Sequence, residues 1–400
     1  MIHDDSIKVF FSNHDNCCGC EACVLSCPTG ALTMVADRKG FLHPICQENK
    51  CIKCGKCIRV CEFKNKNKHE NIPVSACYFK TTDIDEQKLS TSGGAFIAFS
   101  NYILKKNGII FGVVDDKGSV YHTYALSPKD RDRMCGSKYV QSSLNGIYSM
   151  VKMFLSENKY VLFSGTPCQI AGLKSFLGEI NQDKLLTCDF VCHGVPSPRT
   201  YKMYVDYIEK KYHKKLHSHT FREKINGWGH LECNHFEDGS YDCSSVDSQL
   251  QKKVFYSNVA LREACFSCKY CSVNRSSDIT FADAWGVEST DPEFHDKNGV
   301  SLLLINTLKA ESILRELPNQ YVYKSVPIGD VALHQPQLKS PTGKSCNYDR
   351  FWKALEKHGY KKAAYKYAFS RRDKIKNMLI RLRIFGVVKK IRLGIKNGNK

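Results

Sequence analysis

Two runs of cysteine near the beginning of the sequence share one spacing. In each run, two, two and three residues separate four thiols, and together the runs form an internal repeat. Three closely spaced thiolates of a run bind one iron-sulfur cube. In bacterial two-cluster ferredoxins, the fourth cysteine of each run binds the other cube. The spacing therefore predicts two [4Fe-4S] clusters. The predicted ligands are Cys17, Cys20, Cys23 and Cys61 for one cluster and Cys51, Cys54, Cys57 and Cys27 for the other.

Zinc is the other metal that closely spaced cysteines bind. A zinc site takes four ligands, however, and does not require the repeated spacing of two, two and three residues. Two further thiols, Cys18 and Cys46, are surplus to the repeat. Cys18 competes with Cys17 by position, although the register favours Cys17. We interpret both surplus cysteines as small buried side chains. Glu62 stands where the second run usually has a proline.

A second group of cysteines lies farther along the chain. Cys168 follows an apolar segment and precedes a helical one, and Cys192 ends the next apolar segment. Because strand ends in one α/β sheet lie close together, these thiols are expected to meet at a ligand-binding edge. Cys265 and Cys268 complete a set of four, so the sequence predicts a third cluster on Cys168, Cys192, Cys265 and Cys268. Cys271 has the right spacing to replace one of them, and that choice stays open.

Cys168 has two alternative roles. A thiol at a helix N-terminus has a lowered pKa and can act as a nucleophile, with His193 or another histidine as the base. It can also be an inert buried side chain, the usual fate of an isolated cysteine. The recurrence of three other thiols in similar turns favours the cluster ligand.

The elements that must position these residues alternate between strand-like and helix-like patterns. Residues 108–116 and 119–127 predict a β-hairpin, and residues 159–167 predict a strand that runs into a helix ending at Gly178. A polar, lysine-rich stretch over residues 62–73 indicates a linker. The predicted architecture is a small two-cluster ferredoxin-like module, a larger mixed α/β domain and a basic helical C-terminal tail. The predicted limits are 1–66, 74–335 and 345–400.

Composition narrows the class of protein. The chain has 400 residues, 42% of them hydrophobic, and 21 cysteines. It can therefore bury full cores, and a mainly disordered or fibrous protein is excluded. The sequence starts with acidic residues and offers neither a signal peptide nor an apolar run of about 18 residues, so we expect a cytoplasmic protein. In a reducing compartment so many cysteines indicate metal or redox work rather than a disulfide scaffold.

The net charge of +19 is concentrated at the C-terminus. Residues 351–400 carry 16 Lys and Arg and two acidic residues, a net of +14, which leaves +5 for the rest. Apolar residues recur at helical spacing over residues 373–396, with basic residues between them. That pattern is typical of a helix on an anionic membrane surface or an acidic partner, or of a helix packed on the body with a solvated basic face. No recognition motif accompanies it, so a nucleic-acid role is not expected.

Several longer segments resemble the coenzyme F-420 hydrogenase/dehydrogenase beta-subunit family, in its bacterial branch with an N-terminal ferredoxin module. The similarity covers about residues 14–310. The segments that carry it are STSGGAF (90–96), GSKYVQS (136–142), LFSGTPCQIAGLKSFL (162–177), CDFVCHGVPSP (188–198), LREACFSCKY (261–270), RSSDITFADAWG (275–286) and KNGVSLLLINT (297–307).

The resemblance implies that the large domain holds FAD beside an iron-sulfur cluster. The FAD contacts that it implies are Ser92, Gly93, Gly94, Gly136, Ser137, Lys138 and Gln141. A Gly-Gly turn leading into a helix presents amides to a phosphate, and Lys138 supplies a matching charge. Asp278, Asp283 and Trp285 also lie on the family pattern. Trp285 either stacks on the flavin or packs in the core.

These parts predict a flavin-dependent iron-sulfur oxidoreductase. It would pass electrons between a two-electron carrier or substrate at FAD and one-electron partners, either a redox protein or a small carrier. The alternative is a non-catalytic electron-transfer subunit that docks a separate catalytic partner.

Overall fold

The computed structural model of the chain describes residues 16–64 and 70–381. We number its strands and helices in chain order. The strands are β1 Leu32–Ala36, β2 Leu42–Cys46, β3 Ser75–Thr81, β4 Ile109–Asp116, β5 Ser119–Ala125, β6 Val161–Ser164, β7 Leu185–Phe190, β8 Leu216–Glu223, β9 Leu231–Phe236, β10 Tyr241–Asp242, β11 Ile279–Asp283, β12 Ser301–Ile305 and β13 Tyr321–Ser325.

The α-helices are α1 Ala22–Leu25, α2 Lys56–Arg59, α3 Ile84–Leu89, α4 Ala95–Lys105, α5 Pro128–Asp132, α6 Ile147–Ser156, α7 Pro167–Leu177, α8 Pro198–Tyr212, α9 Leu250–Tyr256, α10 Val287–Thr290, α11 Leu308–Glu316, α12 Ile328–Val331, α13 Tyr348–His358, α14 Tyr360–Tyr367 and α15 Arg371–Arg381. Short 3₁₀ helices span Glu48–Lys50, Glu263–Ser267 and Pro336–Leu338. Among the described residues, none of these helices has the length and apolar content needed to cross a bilayer.

The N-terminal module is small and built from turns. A two-stranded antiparallel sheet, β1 and β2, lies between two one-turn helices, α1 and α2. Gly19 and Gly55 have φ angles of 71° and 69°, in the left-handed region that glycine adopts without strain. Gly55 is the residue that enters α2, so it lets the backbone turn sharply between Cys54 and Cys57.

The large domain is organised around an eight-stranded sheet in the order β13-β3-β12-β11-β7-β6-β4-β5. Its centre, β11-β7-β6-β4, is parallel, and the remaining pairs are antiparallel. Successive side chains point to opposite faces of a strand. Accordingly, Leu162 joins a core on the α4 and α11 face, whereas Val161 and Phe163 join one on the α6 and α7 face. Covering both faces explains why these strands are apolar throughout.

A further core lies beside this sheet. The three-stranded sheet β8-β9-β10 packs with α8, α9, α13 and α14. Tyr201 and Tyr204 of α8 are fully buried there, together with Phe351 of α13 and Ala363 of α14. Residues 348–369, which begin the predicted tail, therefore contribute to a hydrophobic core. The domain limits themselves stay a prediction, and residues 382–400 of the tail lie outside the described residues.

Most elements expected from the sequence are present. The β4–β5 hairpin and the strand–helix unit β6–α7 form as predicted, and α8 has Ser197 as its cap and Pro198 at its first position. The mixed α/β architecture with an N-terminal ferredoxin-like module is confirmed. After β10 the chain forms α9 at Leu250–Tyr256, followed by the 3₁₀ helix Glu263–Ser267. Asn258 has a φ of 59°, which ends the regular helix before that segment.

Candidate functional site

The thiols of the N-terminal module form two groups. Cys23 lies near Cys20, Cys17 and Cys61, whereas Cys57 of the other group acts on it less strongly, and burial raises the pKa of the Cys23 thiol well above the ordinary value. The other four predicted ligands surround a small apolar cavity together with Cys46. These four are Cys27, Cys51, Cys54 and Cys57. Each group therefore contains the fourth cysteine of the opposite run, as the ferredoxin spacing predicts, although their role as ligands stays a proposal.

The surplus thiols occupy different positions. Cys46 is partly buried beside Cys51, and burial raises its pKa to about 11. Cys18 is buried and lies between Cys20 of the module and Cys168 of the large domain. Hydrogen bonding to Cys18 lowers the pKa of both neighbours. The sequence contained no signal for this bridging position, because it depends on how the module docks.

The third set of cysteines comes together at the carboxyl edge of the parallel strands. Cys168 is the second residue of α7, which follows β6, and Cys192 follows β7. Cys265 lies in the 3₁₀ helix Glu263–Ser267, and Cys268 ends that helix. Cys192 lies near Cys265, Cys168 and Cys268, whose thiols act on its pKa. Parallel strands end at the same edge of a sheet, which is why thiols far apart in sequence meet there.

The environment of this set favours a positively charged ligand. Burial raises the pKa of Cys192 far above its ordinary value and that of Cys265 to about 12. Thiolates at such positions need compensating charge, which iron provides. The Val195 amide also donates to the Cys265 sulfur at 3.5 Å, as amides around metal-bound thiolates do. Hydrogen bonding from Cys271 lowers the pKa of Cys268 to about 7, so Cys271 lies next to the set and remains an alternative ligand.

The nucleophile alternative for Cys168 lacks a base at this position. Thr166 Oγ1 lies 3.2 Å from the Cys168 sulfur, and no histidine is hydrogen-bonded to that thiol among the described residues. His193 instead lies 2.8 Å from Asn258 Oδ1 and close to Gln337. Cys168 is thus surrounded by thiols rather than by a catalytic pair.

A cavity of about 520 Å³ opens at the same edge of the sheet. Cys168 and Cys192 are part of its wall. Six of the seven residues expected to contact FAD also line it, namely Ser92, Gly94, Gly136, Ser137, Lys138 and Gln141. The structure thus brings the two predicted sites, the third thiol set and the FAD contacts, to one cavity.

Gly93, the seventh expected contact, has a different position. Its amide donates to Ser301 Oγ at 2.9 Å, and a Cβ there would meet the Phe79 carbonyl oxygen at 2.2 Å. Gly93 is therefore required for the close approach of the turn to β3 and β12, and its amide is already used. The next residue, Gly94, has a φ of 91° and begins α4 without a side-chain cap. The first amides of α4 therefore border the cavity.

Lys138 contributes charge rather than hydrogen-bond donors. Its Nζ donates to the carbonyl oxygens of Arg133, Met134 and Cys135 at 3.3, 2.8 and 2.7 Å, which uses all three of its N–H groups. Burial lowers the pKa of Lys138 to about 8. An anion in the cavity would therefore meet a fixed positive charge behind the loop formed by residues 133–138.

An aromatic wall completes the cavity. Trp285 stacks on Trp228 with ring centroids 4.6 Å apart and planes 7° apart, and the His230 ring lies 5.1 Å from that of Trp285 with planes 27° apart. Asp283 pairs with the buried Arg222 at 2.9 Å and accepts from Trp228 Nε1 at 3.2 Å. Trp228, His230 and Arg222 were not expected from the sequence, because they lie in β8 and the loop that follows it, outside the segments that carry the resemblance.

Asp278 is structural. Both the amide and the hydroxyl of Thr187 donate to its carboxylate, and Lys309 pairs with it at 3.3 Å. It is buried beneath the sheet edge and does not line the cavity. Its charge stabilises the junction of β7 and β11 instead.

A buried arginine joins the module to the cavity. Arg262 is 2% exposed and donates through Nη1 to Gln141 Oε1 at 2.9 Å. Its other nitrogens donate to the carbonyl oxygens of Cys17 and Leu42 in the module. Gln141 in turn donates through Nε2 to the Cys18 carbonyl at 2.9 Å. The first thiol group and the cavity are therefore held by one hydrogen-bonded unit.

The chain is similar to two known protein families. Residues 158–330 match the family model for the C-terminal part of the coenzyme F420 hydrogenase/dehydrogenase beta subunit, and residues 16–65 match the 4Fe-4S dicluster domain. No curated protein matches the chain. A chain of the F420-reducing [NiFe] hydrogenase complex from Methanosarcina barkeri has a TM-score of 0.44 and 17% sequence identity, over 73% of this chain and 94% of that one. The two family matches cover the module and the sheet edge that carry the thiols, and over residues 158–330 the chain is similar to the C-terminal part of the coenzyme F420 hydrogenase/dehydrogenase beta-subunit family.

Proposed function

We propose that this chain is an iron-sulfur oxidoreductase that binds FAD in the cavity beside Cys168 and Cys192. The observation that carries the proposal is this adjacency, because two members of a partly buried four-thiol set form part of the cavity wall. When bound, FAD supplies two-electron chemistry and the clusters supply one-electron chemistry. The chain's own contribution is to hold these groups close together and to exclude water between them.

The residues around the cavity fit a dinucleotide. Its volume of about 520 Å³ lies within the ordinary range for ligand and cofactor sites. The uncapped start of α4 and the charge of Lys138 suit a pyrophosphate. Trp285 and its stacked neighbours offer an apolar wall suited to a planar ring. The cavity thus offers polar and aromatic surfaces of the kinds that the two ends of FAD require.

The cysteine groups fit three [4Fe-4S] clusters. The proposed ligands are the two module groups and the set of Cys168, Cys192, Cys265 and Cys268. Cys20 approaches α7 so closely that a Cβ on Gly172 would lie 2.8 Å from its sulfur. Gly172 therefore permits the module thiols to lie next to the helix that carries Cys168. This proximity supports a relay from an external one-electron partner toward the cavity.

The chain can instead serve as a non-catalytic electron-transfer subunit. The matched family is described as a beta subunit, so a separate catalytic partner is the natural alternative. In that case the large domain would dock the partner and the cavity would hold no flavin. Flavin content and flavin reduction separate the two functions.

The decisive experiment is anaerobic purification followed by quantification of iron, sulfide and flavin per chain. We expect about 12 iron atoms, because each of three cubes holds four, and one FAD that a two-electron donor reduces. About eight iron atoms would reject the third cluster. A full iron content without flavin would reject the FAD site and favour the electron-transfer subunit.

A further inference from the structure

A group of metal-ligating side chains lies outside the cavity, on the small sheet. Glu223, Cys233 and His235 place a carboxylate oxygen, a sulfur and a ring nitrogen all within 4.8 Å of one another. Cys233 is also disulfide-bonded to Cys243. None of these four residues had a role predicted from the sequence.

The sheet explains why they converge. Cys233 and His235 are two positions apart on β9, so their side chains lie on the same face. Glu223 is the last residue of β8, the neighbouring strand, and Cys243 directly follows β10 on the other side. Three adjacent strands thus bring together two sulfurs, one imidazole and one carboxylate, the ligand types that zinc prefers.

The charged pair at this position can exchange a proton for a metal. His235 Nε2 lies 3.1 Å from Glu223 Oε2, within hydrogen-bond distance, so a metal ion that binds both atoms takes the place of one proton. The Glu223 side chain is 21% exposed and that of His235 is 34% exposed, so an ion can reach them from solvent. Cys233 is buried at the back of the group. The sheet supplies a rigid base, as a structural metal site requires.

We propose that the reduced form of this hairpin is a zinc site with Glu223, Cys233, His235 and Cys243 as its ligands. The site does not depend on the proposed flavin function, because none of its four residues lines the cavity. The disulfide is the metal-free form of the same site. The redox state of the two cysteines therefore decides whether the hairpin is joined by a bond or by an ion.

The interconversion balances with a dithiol as reductant. The dithiol transfers two electrons and two protons to the Cys233–Cys243 bond and becomes a disulfide itself, which leaves two protein thiols. Zinc then displaces both thiol protons and binds two thiolates, the neutral imidazole and the ionised carboxylate. The zinc and its ligands carry a net charge of −1.

The test measures zinc and iron in anaerobically purified holoprotein. The protein is reduced with a phosphine, which takes its oxygen from water as the disulfide becomes two thiols, then incubated with zinc chloride and desalted. We expect the reduced wild type to retain one zinc per chain more than the unreduced protein, with unchanged iron. X-ray absorption at the zinc edge should show sulfur at about 2.3 Å and nitrogen or oxygen at about 2.0 Å.

Variants at the partly exposed ligands identify the site. His235→Gln and Cys243→Ser should weaken zinc binding by at least about tenfold, since even outer-shell changes cost that much. Cys346→Ser, at an exposed free cysteine elsewhere, should bind zinc like the wild type. Equal zinc retention by the wild type and both ligand variants would overturn the site. So would a zinc spectrum without sulfur neighbours.

Discussion

Arg262 Nη1 donates to Gln141 Oε1 at 2.9 Å, and this bond joins the residue that reaches into the N-terminal module to one that lines the cavity. Gly19 makes the arrangement possible, because a Cβ at that position would lie 2.9 Å from Arg262 Nη1. The module and the large domain therefore share a buried polar junction. Their relative position is set by charge-assisted hydrogen bonds as well as by apolar contact.

Arg262→Met should destabilise this junction. The change leaves the carbonyl oxygens of Cys17 and Leu42 without their donor, and hydrogen bonds to charged groups contribute about 1.5–3 kcal/mol each. We expect the free energy of unfolding to fall by about 3 kcal/mol or more, and proteolysis within residues 16–64 to accelerate. Anaerobic denaturant titration and limited proteolysis measure the two effects.

Arg350→Met is the matched control, because Arg350 is exposed on α13. It should change the free energy of unfolding by less than about 0.5 kcal/mol, as surface substitutions usually do. Indistinguishable stability of the two variants would contradict a structural role for Arg262.

Cys192→Ser should remove one cluster selectively. Serine is a poor substitute for thiolate at iron, so we expect iron to fall from about 12 to about 8 atoms per chain while the two module clusters remain. Cys346→Ser should leave the iron content unchanged, since this exposed cysteine belongs to none of the three groups. Iron and sulfide analysis after anaerobic purification provides the comparison. Unchanged iron in Cys192→Ser would mean that this cysteine is not a ligand.

Cys271→Ser and Cys268→Ser together show which of these two cysteines is a ligand of the third cluster. If Cys268 is the ligand, Cys271→Ser keeps about 12 iron atoms and Cys268→Ser loses about four. The reverse pattern would assign the site to Cys271. The two thiols lie next to each other, so the comparison requires both variants.

Two glycines at the cavity should respond differently to alanine. A Cβ on Gly93 would meet the Phe79 carbonyl oxygen and the Ser301 amide nitrogen at 2.2 and 2.6 Å, so the backbone of β3 and β12 must move. A Cβ on Gly136 meets nothing within 4 Å and suffers only from its φ of 79°. We expect Gly136→Ala to cost about 1 kcal/mol and Gly93→Ala several times more. Thermal unfolding of the two variants under anaerobic conditions tests this order, and equal shifts would contradict it.

Lys138 should make flavin binding depend on pH. Burial lowers its pKa to about 8, so the lysine loses its charge as the pH rises through that value. An anionic phosphate binds the charged form better, and we therefore expect the flavin dissociation constant to rise between about pH 7 and pH 9. For folding the sign is opposite. The Lys138 ammonium group binds its proton more tightly in the unfolded chain than in the folded one. Lys138 therefore lowers the free energy of unfolding by its full amount below pH 8, and this loss disappears as the pH approaches the ordinary pKa of lysine.

Fluorescence titration of flavin against pH measures the effect, and Lys138→Met should abolish it. Lys224→Met is the control, because burial also lowers the pKa of Lys224 to about 8 but this side chain does not line the cavity. If the pH dependence of flavin binding persists in Lys138→Met and disappears in Lys224→Met, the effect belongs to Lys224 and the prediction for Lys138 is wrong.

Removing residues 382–400 should weaken contact with acidic surfaces. This segment contains six Lys and Arg and no acidic residue. Each basic residue near an anionic bilayer contributes about 1 kcal/mol. The truncation keeps Asp373, whose contact with Lys253 at 2.5 Å attaches α15 to the body. Sedimentation with phosphatidylserine vesicles should fall at least about tenfold, and equal sedimentation of both forms would reject membrane contact through the tail.

The sequence by itself determined the features that depend on neighbours along the chain. The repeat of cysteine spacing predicted the two module groups, and the apolar runs predicted the β4–β5 hairpin and β6–α7. Local hydrogen bonding and the period of a strand or helix set these features, so a short window of residues contains the information. The family segments added the residues around the cavity.

Only the tertiary structure decided which distant residues meet. Cys18 reaches both Cys20 and Cys168 because the module packs against α7. Arg262 binds a module 245 residues earlier in the chain. The charge of residues 348–369 predicted that they are part of a basic tail. Their apolar side chains are instead buried against α8, where the two apolar faces pack together. Such contacts depend on how separate elements are brought together in space, and no local pattern in the sequence specifies that arrangement.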